Sequence, residues 1–199
     1  MALSDLQNLK SFNTHEEAQK IQSLVESNML KILADTSFRT TKILHDDPEV
    51  WRVWWQYWEI RVALHKIFPC LDWECFFHPH PWPSTVRCLK WGYDHRIGVY
   101  NWDVKDVEQL KPNDIEDFSN NLLPFNTTVS AGDLYTMTDI RQFHQVSTPE
   151  VNYSLMLMGT PYFSGATKQF SRKSPNVNIE LQEEEINDLM DTTKEYFKK

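Results

Sequence analysis

Apolar positions change their period along this chain, and the changes divide it. From Thr14 to about Ala34, Ile21, Leu24, Val25, Met29, Leu30 and Ile32 recur at roughly helical spacing. Thr14-His15-Glu16-Glu17 supplies a cap and first-turn acids, so a helix is predicted there, behind a polar arm over residues 1–14. Asp46-Asp47-Pro48-Glu49 reads as a second helix start. Trp51, Trp54, Trp55, Trp58, Val62 and His65 then follow at steps of three and four, predicting a helix from Val50 to about Ile67. Its tryptophan stripe is expected to pack against a sheet. His65 would partner the C-terminal helix dipole, while His15 and His45 fall in capping or loop contexts.

After Phe68-Pro69 the apolar runs shorten and turns separate them. Predicted strands are Trp73–Phe77, Thr85–Trp91, Ile97–Trp102, Asn126–Ser130, Leu134–Met137, Arg141–Val146 and Tyr153–Met158, with a turn at Ala131-Gly132-Asp133. Residues 103–124 are acidic and read as helix or loop. The tail, Glu183 to Phe197, is an amphipathic helix with Ile186, Leu189, Met190 and Tyr196 on its apolar side. The pattern is mostly β with flanking helices, a sandwich or barrel. Residues 1–70 are expected as a helical segment packed on a barrel of residues 71–170, with linker and helix in 171–199, all in one compact domain.

Composition narrows the function classes. With 199 residues and 41% hydrophobic content, a core can form. A net charge of −8 without a basic stripe argues against a nucleic-acid partner. No apolar leader and no run of about 18 apolar residues appears, so no membrane partner and a cytoplasmic location are expected. Cys70, Cys75 and Cys88 lack metal-knuckle spacing and suit reduced thiols.

The chemistry concentrates at His78-Pro79-His80-Pro81-Trp82-Pro83-Ser84. In extended backbone His78 and His80 point to one side, as two imidazoles sharing a metal ion must. His144, inside Phe143-His144-Gln145-Val146, is the candidate third ligand, and three neutral imidazoles leave positions open on a divalent metal.

Here the chain resembles the cupin superfamily, whose first motif is HxH, a glutamate four or five residues on, and a glycine seven residues after that. His78-Pro79-His80 and Gly92 match, and Gly132-Asp133 with His144 imitates the second motif. The resemblance covers roughly residues 71–165 and is nearest to small bacterial and phage cupin-like proteins with an HxHPW stretch. It implies a cupin-like β-barrel, or double-stranded β-helix, after two N-terminal helices and before a C-terminal one. The glutamate position falls on Ser84 or Thr85, so the carboxylate ligand is missing. That departure is similar to the three-histidine thiol dioxygenases; Asp94 or His95, after the Gly92-Tyr93 turn, could join the metal site instead.

Arg87 and Arg141 are candidate binders of a substrate carboxylate or phosphate, and Trp82 and Tyr93 candidate pocket walls. Alternation from His80 turns Arg87 to the opposite face, unless Pro79, Pro81 and Pro83 reset the phase. Cys88 shares the histidine face by parity and is expected in the core. The resemblance implies a mononuclear oxygenase or dioxygenase holding Fe(II), or another divalent metal, and acting on a small polar molecule. Use of 2-oxoglutarate is less favoured, since it wants the missing carboxylate. The alternatives are a non-catalytic cupin-fold binding protein and a metal-dependent isomerase or lyase; a homodimer suits any of them.

Overall fold

The computed structural model describes residues 3–44, 48–71, 78–100, 122–164 and 179–198. Thr14 caps α1 (His15–Ser27) as expected, in a reciprocal capping box with Glu17. Asn28 ends that helix, and the short α2 (Met29–Ile32) follows. The acidic tail is α3 (Glu183–Phe197), opened by a Gln182–Glu185 capping box.

The predicted helix over 50–67 is instead a hairpin of β2 (Val50–Tyr57) and β3 (Ile60–Ile67), preceded by β1 (Arg39–Ile43). Tyr57 pairs with Ile60 across the turn, where Trp58 takes a positive φ of 53° in place of the usual glycine. The segment is rich in Val, Trp, Tyr and Ile, which favour a pleated surface over a helix. Its true period is two: Val53, Trp55, Tyr57, Val62 and Leu64 are buried in the outer core, while Arg52, Trp54, Arg61, Ala63 and His65 take the other face. The expected boundary at residue 70 therefore falls away, because β1–β3 belong to the main sheet.

The other strands are β4 (His78–Pro79), β5 (Ser84–Lys90), β6 (Gly92–Tyr100), β7 (Leu122–Ser130), β8 (Leu134–Met137), β9 (Gln142–Ser147) and β10 (Asn152–Met158). After residue 84, β5, β8, β9 and β10 follow the predicted strands to within a residue, whereas β6 and β7 begin earlier than expected. Gly92-Tyr93-Asp94-His95, expected as a turn, opens β6, and β7 starts at Leu122 rather than Asn126. The predicted strand over 73–77, the end of the Ile97–Trp102 strand and most of the acidic 103–124 stretch lie outside the described residues; Leu122–Pro124 belong to β7.

One sheet runs β1-β2-β3-β10-β5-β8 and the other β4-β9-β6-β7. Counting from β3, the first, eighth, third and sixth strands alternate with the second, seventh, fourth and fifth, which is jelly-roll order. Among the described residues no ladder joins the two sheets, so the closed barrel expected from the sequence is an open sandwich. The helices pack on the outside of the larger sheet, where Val25, Met29, Ile32 and Leu189 bury against Trp55, Leu64, Leu155 and Leu157. Leu6 and Phe12 of the N-terminal segment join them, so the expected polar arm is instead anchored in this core. Each fully buried side chain of this kind contributes roughly 1.5–3 kcal/mol. That apolar seal on the outside leaves the inner face free to carry polar groups. No helix of the described residues is long and apolar enough to cross a membrane.

Candidate metal centre

Register builds the centre. His78 of β4 stands directly opposite His144 of β9, and in an antiparallel pair opposite residues share a face. His95 of β6 pairs with Val146 and lies diagonal to His144 on the same face. The proline-rich turn after β4 brings His80 in beside them. The ring centroids of His78, His80 and His144 are 5.6, 4.7 and 4.5 Å apart pairwise. One nitrogen from each lies within 4.8 Å of the others.

Proton placement follows from the partners. Nε2 of His80 and Nε2 of His144 are 2.9 Å apart. That is close to the separation of adjacent ligands, about 2.9–3.4 Å when each metal–nitrogen bond is about 2.0–2.1 Å. With those atoms turned to a shared point, the other ring nitrogens carry the protons. Nδ1–H of His80 then donates to Ser84 Oγ at 2.8 Å, and Nδ1–H of His144 donates to Nε2 of His95 at 2.9 Å. Such outer hydrogen bonds hold a ligating imidazole in its tautomer and orientation. Ser84, at the position where the motif's glutamate is missing, thus has work to do as a hydrogen-bond acceptor. His95 supports His144 from behind, its ring 4.4 Å from that of Tyr135.

The electrostatics favour the neutral, ligating form of imidazole. Burial, then His78, Arg52 and His95, holds His80 well below the usual histidine range. Burial, then His80, His78 and His95, does the same for His144. Burial and then His78 lower His95 to about 4. The residues present fit a divalent cation: three imidazole nitrogens at ligand spacing, two of the rings held from outside and kept neutral by burial.

The other candidates scatter. Tyr93 is buried inside the sandwich, its hydroxyl 2.9 Å from that of Tyr135. Trp82 packs inward against Ala63, Val86, Met156 and Met158. Cys88 is buried within the sandwich, as expected, and burial raises its thiol pKa. Asp94 is not with the histidines: period two turns it outward, where it accepts from Thr128 Oγ1 at 3.2 Å. Arg87 is not a pocket residue either. It lies on the outer face, bonding Glu26 of α1 at 2.8 and 3.2 Å and Gly132 O at 2.6 Å. Arg141, in the turn before β9, is ion-paired with Asp139.

Arg52, Trp54, Arg61 and His65 were missed because the segment reads as a helix. Strict alternation over 50–57 and 60–67 is the signal that finds them. Across the sheet, Arg52, His65, Ser154 and Cys88 form one inward row, and Arg61, Met158, Ser84 and Met137 another. His65 is buried, and its Nε2 has no hydrogen-bond partner. Burial, then Arg52 and His80, lowers its pKa.

No family model and no curated protein matches the sequence. Solved structures with a similar backbone include the hydroxypropylphosphonic acid epoxidase from S. wedmorenis, at 6% identity, TM-score 0.42, covering 61% of this chain and 55% of the epoxidase. The Clostridium difficile EutQ protein aligns at 8% identity and TM-score 0.39, over 63% of this chain and 79% of its own. A Vibrio parahaemolyticus domain of unknown function aligns at 9% identity and TM-score 0.38, over 62% and 98%. The matched region spans little more than half the epoxidase's length. By its strand order the fold is cupin-like, as the motifs led one to expect.

Proposed function

We propose that this chain is a metal-dependent cupin-type enzyme, a mononuclear non-haem iron oxygenase acting on a small polar molecule. The observation that carries it is the inward trio His78, His80 and His144, with one nitrogen of each within 4.8 Å of the others. His78, His80 and His144 would hold the ion, and ferrous iron there would supply redox chemistry toward dioxygen. Three imidazole donors would leave coordination positions for substrate and oxygen. Ser84 and His95 orient His80 and His144, and Tyr93 and Tyr135 close the site behind His95.

Elemental analysis of the purified protein, before and after anaerobic ferrous addition, tests the metal. About one equivalent is expected, lost when His144 is replaced by Ala. Oxygen uptake with iron and a panel of small acids and thiols, with and without 2-oxoglutarate, tests the reaction. A chain that retains no transition metal refutes the centre. Stoichiometric metal with no oxygen uptake on any substrate leaves the centre standing and redirects the reaction to isomerisation, elimination or simple binding.

A further inference from the structure

The inner face of the larger sheet, across from the histidines, carries arginines and no carboxylate although the chain has a net charge of −8. Among the described strand residues that face inward, none is Asp or Glu, while Arg52 and Arg61 both belong to that surface. Arg52 stands directly opposite His65 across the β2–β3 pair. Arg61 is the more telling. It is partly buried, and no described carboxylate pairs with it. Its guanidinium lies 4.4 Å from the Trp54 ring and 5.9 Å from the Trp82 ring. Arg39, its guanidinium 5.2 Å from the other partner of this stack, Trp54, adds like charge at the exposed lip.

Two buried donors on these neighbouring side chains have no hydrogen-bond partner: Arg61 Nε and Trp82 Nε1. They come from different segments, and each such donor costs about 1–3 kcal/mol if left unsatisfied, more when charged. Stacking on indoles fixes the plane of a guanidinium and leaves its edge for an oxyanion. Arg61 neighbours Met158, and Met158 neighbours Ser84, the residue that holds His80. Two strand spacings make the Arg61-to-Ser84 separation about 10 Å at the backbone.

We infer that this inner face binds a small molecule bearing a carboxylate, phosphate or phosphonate group, gripped by Arg61 and the Trp82 indole N–H. As the substrate's anchor this deepens the function proposed above; as a binding site it stands without the metal. Trp54 holds Arg61 in place and is a positioning residue.

The chelator-stripped protein is titrated with inorganic phosphate, methylphosphonate and propionate, by calorimetry and by thermal shift. At least one probe is expected to bind with a Kd below about 1 mM and to raise the Tm saturably. Arg61→Gln should weaken it about tenfold or more. Trp82→Phe, which keeps a ring but deletes the N–H, should weaken it several-fold, and the surface change Lys20→Gln should not. Binding of phosphate and methylphosphonate alone assigns a tetrahedral head group, and binding of propionate alone a carboxylate. No binding up to about 10 mM, or full-strength binding in both Arg61→Gln and Trp82→Phe, overturns the inference. Metal counted on the same samples keeps the two proposals apart. Arg61-dependent binding in a protein that never takes up metal sinks only the enzyme; metal and oxygen uptake without Arg61-dependent binding sinks only the anion site.

Discussion

Replacing Arg87 by Ala separates a structural arginine from a substrate-binding one. Its guanidinium reaches Glu26 through Nε at 2.8 Å and Nη2 at 3.2 Å, and Gly132 O through Nη1 at 2.6 Å. Both partners of the ion pair are mostly shielded, their side chains 22% and 20% exposed. The fork therefore ties α1 to β5 and, through Gly132, to the β7–β8 turn. Truncation leaves Glu26 with Gln22 Nε2 as its remaining donor. One charge-assisted bidentate contact and one carbonyl contact, discounted for the remaining exposure, come to about 3 kcal/mol. In a chain of this length that lowers the Tm by about 6–12 °C. Differential scanning calorimetry reads the loss, and a double-mutant cycle with Glu26→Gln should return a coupling of about 1–3 kcal/mol. Metal stoichiometry and anion affinity should not change. An unchanged Tm together with weakened anion binding would put Arg87 on the inner face and refute the face assignment.

Three further outcomes follow from other parts of the structure. Gly92→Ala places a Cβ 2.5 Å from Val129 O, a backbone atom that cannot swing away, so urea unfolding should show a loss of about 2–4 kcal/mol; near-native stability would contradict the close approach of β6 and β7. Ser84→Ala removes the acceptor of the His80 Nδ1 proton and should weaken metal binding about 10- to 100-fold in a chelator competition, whereas unchanged affinity would mean the tautomer is set otherwise. In the metal-free protein the unfolded chain takes up a proton at His95 near the ordinary histidine pKa, while the folded chain resists until about pH 4. This contribution to stability is thus full above pH of about 6.5 and is lost as pH falls toward the folded value, costing about 2 kcal/mol by pH of about 5. Urea midpoints at neutral and acidic pH, compared with His95→Gln, check it; equal pH slopes in the two proteins would refute it.

The contrast between the two halves of the chain is physical. β5, β8, β9 and β10 are bounded by glycine, proline and polar turns, so their limits could be read from sequence. Gly92, in contrast, reads as a turn marker yet opens β6, where the close approach of Val129 leaves no room for a side chain. The β2–β3 turn has no such marker: Trp58 and Glu59 make it, with Trp58 accepting a left-handed φ that the packing of the flanking strands enforces. Apart from Gln56, both faces of that hairpin are buried or partly buried, one against helices and one toward the interior of the sandwich. Aromatics on both sides then supply apolar residues at steps of three and four as readily as at steps of two. The misreading hid the site's second half. The histidines could be named from a local motif because HxH places its own two ligands, and His144 because a glycine turn precedes it. Arg52, Arg61 and His65 bear no motif; they join the site only because β3 pairs with β10, and β10 with β5. Arg87 failed as a candidate for the converse reason, since one step of register places it on the helix side of the same strand that supplies Ser84. In this fold only His78 and His80 are neighbours in sequence. His144 joins them through the β4–β9 pair, and Arg52, Arg61 and His65 face the same interior through the longer-range order of β2, β3, β10 and β5.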